Sequence, residues 1–170
     1  MVMPADTPIR AARIALVITD NDGVLTDGSV YMSMHGEEMK RYSVRDGMGV
    51  ERLRRAGIAT AVLTREPPAL IARRAHKLEM QFLWTGVRDK RAHLPQILAE
   101  TGLEIDQLAY IGDDVNDLEL LATIGERGLT AAPADAMPGV AKAVHYHCKA
   151  PGGAGAFREV AEWLLHLRTT

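Results

Sequence analysis

The sequence lacks the features that would place it outside the soluble globular proteins. Its single cysteine, Cys148, cannot form an internal disulfide, which agrees with a reducing, cytoplasmic setting. The longest apolar run near the start, residues 14–18, is far too short to span a bilayer, and no export signal precedes it. The formal net charge of −2 leaves no basic surplus for nucleic-acid binding. We therefore expect neither a membrane nor a nucleic acid as a partner.

Size and composition predict one domain. A chain of 170 residues is long enough to bury a core, and 47% hydrophobic with 25% charged residues is ordinary for a globular protein. We expect a single domain over residues 1–170. Within it we expect residues 1–12 to form a loose N-terminal arm and residues 150–170 a glycine-rich tail and closing helix.

Strand-like and helix-like runs alternate along the chain, which predicts a parallel sheet built from βαβ units. The expected strands cover residues 14–19, 58–63, 81–84, 108–111 and 129–132. The expected helices cover residues 48–55, 67–78, 89–101, 118–124 and 157–167, and Pro95 predicts that the third of these is kinked or shorter. The predicted fold class is α/β, a Rossmann-like parallel sheet sandwiched by helices.

Residues 29–44 break this alternation and predict a β-hairpin inserted after the first strand. The segment has a period of two, and His35-Gly36 is a plausible turn. Its apolar residues Val30, Met32 and Met34 line one face. An isolated two-stranded ribbon is marginally stable in water, so we expect this hairpin to pack against a partner subunit.

Acidic residues follow two of the predicted strands. Asp20 and Asp22 end the first, and Asp113 and Asp114 follow the strand at 108–111, with Asp117 one turn later. Ligands bind beyond the carboxyl ends of parallel strands, and carboxylates converging there would repel each other unless a cation lay between them. Hard oxygen ligands favour Mg²⁺. Each motif alone could equally be a turn or a helix cap; together they favour a metal site.

Two further residues suit a phosphoryl group. Thr64 offers a hydroxyl and a backbone N–H at a strand end, and Lys90 offers a positive charge at a helix start. Fixed donors and cations of this kind stabilise a transferring phosphoryl group. A threonine that ends a strand is usually structural, and a lysine that starts a helix is usually solvated. The prediction of a phosphoryl site therefore depends on the order of these residues and the acids along the chain.

The order acid-x-acid, threonine, lysine, acidic pair resembles the haloacid dehalogenase superfamily of phosphotransferases. DNDGVLTDG at residues 20–28 is similar to its first motif, and the resemblance continues through VRDG at 44–47 to GGAGAFRE at 152–159. Within the superfamily the chain resembles the small, capless sugar-acid phosphatases. These include the 3-deoxy-D-manno-octulosonate 8-phosphate phosphatases of lipopolysaccharide synthesis, their nine-carbon relatives connected with sialic acids, and the C-terminal module of some acylneuraminate cytidylyltransferases.

The resemblance implies a mechanism and a set of site residues. Asp20 would attack phosphorus, and Asp22 would protonate the leaving alkoxide and then activate water. Mg²⁺ would be held by Asp20, the backbone carbonyl of Asp22, and Asp113. The phosphoryl oxygens would be bound by Thr64, Lys90, Asn21 and Arg65. Asp114 and Asp117 would orient the lysine and the metal-bound waters.

The spacing of the motifs leaves no room for a cap domain, since residues 22–64 must already hold a hairpin, a helix and a strand. Water would compete in an open site, so we expect neighbouring subunits to cover it with the hairpin and the tail at 151–155. The resemblance implies a homotetramer. A non-catalytic oligomerisation module is the alternative function, although the retained acids argue against it; a phosphotransferase or mutase on the same chemistry also remains open.

The substrate is the least determined feature. Glu66 and Lys77 resemble a pair found in the nine-carbon phosphatases, whereas the eight-carbon phosphatases usually have glycine and arginine after the threonine. The alternative is a dipole-stabilising glutamate and a solvated lysine. In the family that the chain resembles, an arginine is common where Ala154 stands, so its loss leaves binding of the substrate carboxylate open, and Arg45 or Arg158 could compensate. Arg45 and Asp46 would either reach the pocket or start a helix.

Overall fold

The computed structural model describes residues 5–169, and its centre is a sheet of six parallel strands. The strands within these residues are β1 (Leu16–Thr19), β2 (Tyr31–Ser33), β3 (Gly36–Met39), β4 (Ala59–Leu63), β5 (Phe82–Trp84), β6 (Leu108–Ile111), β7 (Leu129–Ala132) and β8 (Tyr146–His147). The sheet order is β5-β4-β1-β6-β7-β8, and β2 and β3 form a separate antiparallel pair. The predicted α/β fold with an inserted hairpin and no cap domain is confirmed.

Seven α-helices surround the sheet within the described residues. They are α1 (Thr7–Arg13), α2 (Val44–Arg55), α3 (Ile71–Lys77), α4 (Leu94–Thr101), α5 (Leu118–Gly125), α6 (Pro138–Ala143) and α7 (Ala156–Leu167). Short 3₁₀ turns cover Ile105–Gln107 and Val115–Asp117. No helix in this part of the chain has the length and apolarity needed to cross a bilayer.

Two apolar layers cover the two faces of the sheet, because alternate strand residues point to opposite faces. In β1, Val17 packs into a layer formed with α1, α2 and α7, whereas Leu16 and Ile18 pack into a layer formed with α4, α5 and α6. All four residues of β1 are buried, which explains why the strand is a continuous apolar run. The central strand is therefore held rigidly from both sides.

Several predicted boundaries need correction. The loose arm predicted over residues 1–12 is wrong from residue 7, where α1 begins; residues 1–4 lie outside the described part of the chain. Helix α1 forms because Thr7 and Ala11 are buried against the body of the protein. Helix α4 begins only at Leu94, since Pro95 suits a first turn, and it ends at left-handed Gly102 with a φ of 67°. Sequence analysis missed α6 and β8.

The hairpin is shorter than predicted, and its turn lies at Met34-His35 instead of His35-Gly36. Its apolar side chains do not pack on the body of the chain: Met32 is 69% exposed and Met34 is 93% exposed. Beyond β3 the chain turns inward, and the Ser43 side chain accepts the Arg45 N–H to begin α2. The hairpin thus presents apolar surface to solvent while its end approaches the sheet.

Candidate active site

The site lies at the carboxyl ends of β1 and β6, neighbouring strands from which the chain continues to opposite sides of the sheet. Asp20 directly follows β1, and its backbone N–H donates to the Ile111 carbonyl at 2.9 Å. Asp113 follows β6 after Gly112. Carboxylate oxygens of Asp20, Asp113 and Asp117 all lie within 4.8 Å of one another. The fold therefore assembles the acids that the sequence pattern placed at strand ends.

Lys90 lies beneath this cluster. Its Nζ is 2.6 Å from Asp20 Oδ2 and 2.6 Å from Asp117 Oδ1, and its side chain is fully buried. Burial alone would lower the pKa of Lys90, but the two carboxylates outweigh it and the pKa is raised above its ordinary value. Lys90 therefore remains a cation, and it contacts Asp20 from behind rather than lining the open pocket.

Asp117 organises this part of the site. Its Oδ1 accepts from Lys90 and from the Tyr110 hydroxyl, and its Oδ2 accepts the backbone N–H groups of Asp113 and Asp114 at 3.0 and 3.2 Å. With both oxygens engaged by four donors, Asp117 has little capacity left to bind a metal ion. Its contacts hold the lysine and shape the turn that carries Asp113.

Asp113, unlike Asp117, has a carboxylate oxygen that is not used by the described part of the protein. Its Oδ1 is buried and accepts no hydrogen bond from the described residues. Burial, followed by the Asp20 and Asp117 charges, raises the pKa of Asp113 to about 8. Burial likewise raises the pKa of Asp20 to about 7, although Lys90 opposes the shift. Two desolvated carboxylates, one with an unused oxygen, are a donor set that suits a hard divalent cation such as Mg²⁺.

Asp22 is half-buried at the other side of the pocket. Its Oδ1 accepts the Thr26 hydroxyl at 3.3 Å and the Lys40 ammonium at 2.6 Å. Asn21, predicted to bind phosphate, is instead buried and braces the loop: its backbone N–H donates to Asp20 Oδ1 at 2.6 Å, and its side chain accepts the Tyr42 hydroxyl. Asn21 does not line the pocket.

Thr64 lines the pocket, but only its hydroxyl is available. The backbone N–H donates to the Trp84 carbonyl at 2.9 Å within the sheet, so the expectation that it faces a phosphoryl group is wrong. The hydroxyl oxygen accepts the Glu66 N–H at 3.1 Å, which leaves its proton free to be donated. Arg65 and Glu66 follow on the same wall, and Arg65 makes no ion pair with any residue from 5 to 169.

The pocket has a volume of about 320 Å³ and opens to solvent. Acidic side chains predominate on its wall, and Arg65 is the cation among its lining residues. The lining residues are Asp20, Asp22, Gly23, Gly28, Thr64, Arg65, Glu66, Asp113, Asp114 and Asn116. Such a pocket suits an anionic ligand only when a metal ion offsets the carboxylates.

Three residues predicted to bind substrate lie elsewhere. Asp46 is buried, and its carboxylate accepts the backbone N–H groups of Gly155 and Arg158, so it caps α7 and does not reach the pocket. Arg45 is exposed on α2, and Lys77 lies in a separate surface depression. These two residues are also absent from the pocket wall, so the expected substrate role is wrong for all three in this chain, whereas the alternative that Arg45 and Asp46 start a helix is confirmed.

The other predicted partners are also engaged elsewhere. The lysine next to Glu66 is Lys40, at 3.9 Å, and not Lys77. Arg158, suggested as a substitute for the missing tail arginine, pairs with Glu162 on α7 at 2.6 Å. Neither arginine suggested for the substrate carboxylate, Arg45 or Arg158, therefore lies on the pocket wall, whereas Arg65, predicted to bind the phosphoryl group, does.

The glycine-rich tail supports the loop that follows Asp20 in its own chain. A Cβ on Gly152 would lie 2.0 Å from the Gly23 carbonyl oxygen, and the Gly153 N–H donates to the Val24 carbonyl at 2.9 Å. Only glycine permits this approach. These contacts give the tail a structural role within its own chain, and its role in covering a neighbouring site stays a prediction.

Four further residues of the site were not predicted from the sequence: Lys40, Tyr42, Tyr110 and Asn116. Tyr110 belongs to the β6 run and reads as a core residue, whereas its hydroxyl donates to Asp117. Lys40 and Tyr42 reach the site because the chain turns inward after the hairpin. No local sequence pattern predicts that turn. Asn116 could have been found, because it lies between two predicted site residues.

No family model matches the chain. Individual curated proteins, however, match this chain over most of its length. The chain is 40% identical over 156 residues to the 3-deoxy-D-manno-octulosonate 8-phosphate phosphatase KdsC of Yersinia pestis, covering 92% of this chain and 82% of the relative. It is 38% identical to the protein of the same name from Haemophilus influenzae, covering 92% of this chain and 85% of that one.

Solved structures agree with these matches. A Moraxella catarrhalis 3-deoxy-D-manno-octulosonate 8-phosphate phosphatase, in complex with magnesium, phosphate and KDO, superposes with a TM-score of 0.89 at 32% identity, covering 96% of this chain and 92% of that one. A cobalt-bound deoxy-D-mannose-octulosonate 8-phosphate phosphatase from Haemophilus influenzae superposes with a TM-score of 0.88 at 36% identity. The match covers 94% of this chain and 92% of that one. The similarity extends over nearly the whole chain in each comparison.

Proposed function

The chain belongs to the family of 3-deoxy-D-manno-octulosonate 8-phosphate phosphatases, and from that premise we propose that it hydrolyses this phosphorylated eight-carbon sugar acid through a covalent intermediate on Asp20. It is a phosphatase, and its cofactor is Mg²⁺. The observation that supports the proposal most is that Asp20, Asp113 and Lys90 form one cluster at the carboxyl ends of β1 and β6.

The metal would be held by Asp20, the backbone carbonyl of Asp22, and Asp113, whose buried Oδ1 has no other partner within the described chain. When bound, Mg²⁺ supplies positive charge that offsets the negative charge of the phosphoryl oxygens and of the surrounding carboxylates. Lys90 adds a fixed cation behind Asp20, and the Thr64 hydroxyl donates from the opposite wall. These groups act together because the site holds them before substrate arrives.

The chain's own residues carry two displacements. A carboxylate oxygen of Asp20 forms a bond to phosphorus while the bond from phosphorus to the sugar oxygen breaks, and Asp22 gives its proton to that oxygen. Asp22 then takes a proton from water as the water attacks phosphorus, which releases inorganic phosphate and restores Asp20. One residue thus serves as acid and then as base.

The rest of the substrate would extend past Arg65 and Glu66. Arg65, unpaired among the described residues, is suited to an anionic group, and Glu66 can accept hydrogen bonds from sugar hydroxyls. A nine-carbon acid phosphate would contact the same two residues. Arg65 and Glu66 alone therefore do not discriminate between the eight-carbon and the nine-carbon substrate. The names of the similar proteins favour the eight-carbon acid.

The assembly belongs to the same proposal. We expect a cytoplasmic homotetramer in which the exposed hairpin packs against another subunit, because apolar side chains such as Met32 and Met34 are otherwise left in water. An occupied hairpin face would also narrow the open pocket. The support for this is the exposure of those residues together with the absence of a cap.

Phosphate release with Mg²⁺ tests the activity. We expect release from 3-deoxy-D-manno-octulosonate 8-phosphate at a higher kcat/KM than from nine-carbon acid phosphates, nucleotides or hexose phosphates. Asp20→Asn should be inert on all of them. Activity that survives this substitution would remove Asp20 as nucleophile, whereas a preference for another phosphate would overturn only the substrate.

A further inference from the structure

Lys40 is a buried cation next to the active site that the mechanism above does not use. It follows β3, and its side chain is only 7% exposed. Its Nζ lies 2.6 Å from Asp22 Oδ1, 3.0 Å from Glu37 Oε1 and 3.9 Å from Glu66 Oε2. Three carboxylates therefore converge on one ammonium group, which fixes the lysine at the point where the hairpin meets the pocket.

The contacts of Asp22 are unequal. Its Oδ1 accepts from Lys40 and from the Thr26 hydroxyl, whereas no residue between 5 and 169 donates to Oδ2. Asp22 lines the pocket, and Lys40 does not. The lysine thus holds one oxygen from outside the pocket, and the other oxygen stays available to a reacting group.

We infer that Lys40 is a positioning residue for Asp22, fixing its carboxyl group so that Oδ2 is the atom that gives and takes the proton. The inference rests on the proposed role of Asp22 as acid and base. A short charge-assisted hydrogen bond at a nearly buried site defines the carboxylate orientation far better than an exposed ion pair would. Acid–base catalysis requires that orientation, since the proton must travel along a hydrogen bond of about 2.6–3.2 Å.

This role predicts a dependence on the leaving group. A sugar alkoxide is a poor leaving group that needs the proton from Asp22, whereas p-nitrophenolate leaves readily without it. Since kcat/KM reports the steps through formation of the phospho-enzyme, the later use of Asp22 as a base does not enter it. Loss of Lys40 should therefore lower kcat/KM for the sugar phosphate selectively.

The test compares Lys40→Met with the wild type on 3-deoxy-D-manno-octulosonate 8-phosphate and p-nitrophenyl phosphate. We expect kcat/KM to fall about 10- to 100-fold on the first and less than about threefold on the second, out of the roughly 10²- to 10⁴-fold that an acid–base group supplies. Arg41→Met is the matched control, because Arg41 is the next residue in the chain and its side chain pairs with Asp27 instead of Asp22. It should leave both values unchanged.

Turnover gives a second readout. Hydrolysis of the aspartyl-phosphate still needs Asp22 as a base, so Lys40→Met should release p-nitrophenolate in a burst followed by a slower steady state. A merely structural role would lower the active fraction without changing the ratio between substrates. If Lys40→Met fails to fold, as judged by thermal melting, Lys40→Gln is used for the same comparison.

A double-mutant cycle separates positioning from direct contact. If Lys40 acts only through Asp22, adding Lys40→Met to Asp22→Asn should change the sugar-phosphate rate by less than about twofold. A further large loss, or equal losses on both substrates, would overturn the inference. If Asp22→Asn is fully active, the proposed role of Asp22 fails; if Asp22→Asn is inactive and Lys40→Met is not impaired, only the role of Lys40 fails.

Discussion

Gly23 is the residue whose substitution tests the metal site most directly. It lies in the loop after Asp20 with a φ of 83°, a conformation that costs an L-residue about 1–2 kcal/mol. A Cβ at this position would lie 2.0 Å from Asp113 Oδ2 and 2.5 Å from its Cγ. Gly23→Ala therefore introduces two separate effects, backbone strain and a collision with a proposed metal ligand.

The size of the collision sets the expected result. Since Cβ contacts below 3.0 Å are essentially never seen, the carboxylate must retreat by at least the difference, 1.0 Å. Mg²⁺ requires oxygen ligands at about 2.0–2.1 Å in near-octahedral geometry, so a shift of that size removes Asp113 from the coordination shell. We expect the Mg²⁺ concentration for half-maximal activity to rise about 10- to 100-fold, the range seen when the support of a ligand is lost.

Gly57→Ala is the matched control. Gly57 has a similar φ of 75°, but a Cβ there would meet nothing within 4 Å. Both variants should lose about 1–2 kcal/mol in urea unfolding, and only Gly23→Ala should require more Mg²⁺ in the phosphatase assay. The same Mg²⁺ requirement in both variants would refute the assignment of Asp113 as a metal ligand.

Three further outcomes follow from the described contacts. Tyr110→Phe should lower the free energy of unfolding by about 1–3 kcal/mol in urea titrations, because a buried hydrogen bond to the Asp117 carboxylate is lost; an unchanged midpoint would contradict this. Burial and then the Glu159 charge raise the pKa of the Cys148 thiol to about 12, so at pH 8 a disulfide reagent should react far more slowly with the folded than with the urea-unfolded protein; equal rates would refute it. Met34→Glu should give a smaller particle in light scattering, and an unaltered mass would remove the hairpin as the subunit contact.

The sheet could be predicted from the sequence because its strands are buried on both faces. Strands β6 and β7 have the predicted bounds, since continuous apolar runs such as Leu108–Ile111 have few alternative structures. Asp20 and Asp113 could be predicted to meet for a related reason: residues that follow neighbouring parallel strands share one edge of the sheet. Both results depend on periodicity and topology alone.

Contacts between elements that are far apart in the chain could not be predicted. Asp46 looks like the start of its own helix, yet its carboxylate caps α7, which lies more than 100 residues later in the chain. Lys40 belongs to a charged hairpin segment that is indistinguishable from solvated surface until the chain folds back on Asp22. The Thr64 N–H is used by β5, and the sequence does not show this because it depends on where that strand ends.

The charge balance of the site gives a reason why a cation and the proposed nucleophile, Asp20, depend on each other. Asp20, Asp113 and Asp117 contribute three negative charges and Lys90 one positive charge, which leaves a surplus of two in a desolvated cluster. Burial first, and then the neighbouring carboxylate charges, raise the pKa of Asp20 to about 7 and that of Asp113 to about 8, which disfavours the ionised form of both acids. A protonated Asp20 is a poor nucleophile. A divalent cation matches this surplus of two negative charges and favours the ionised acids.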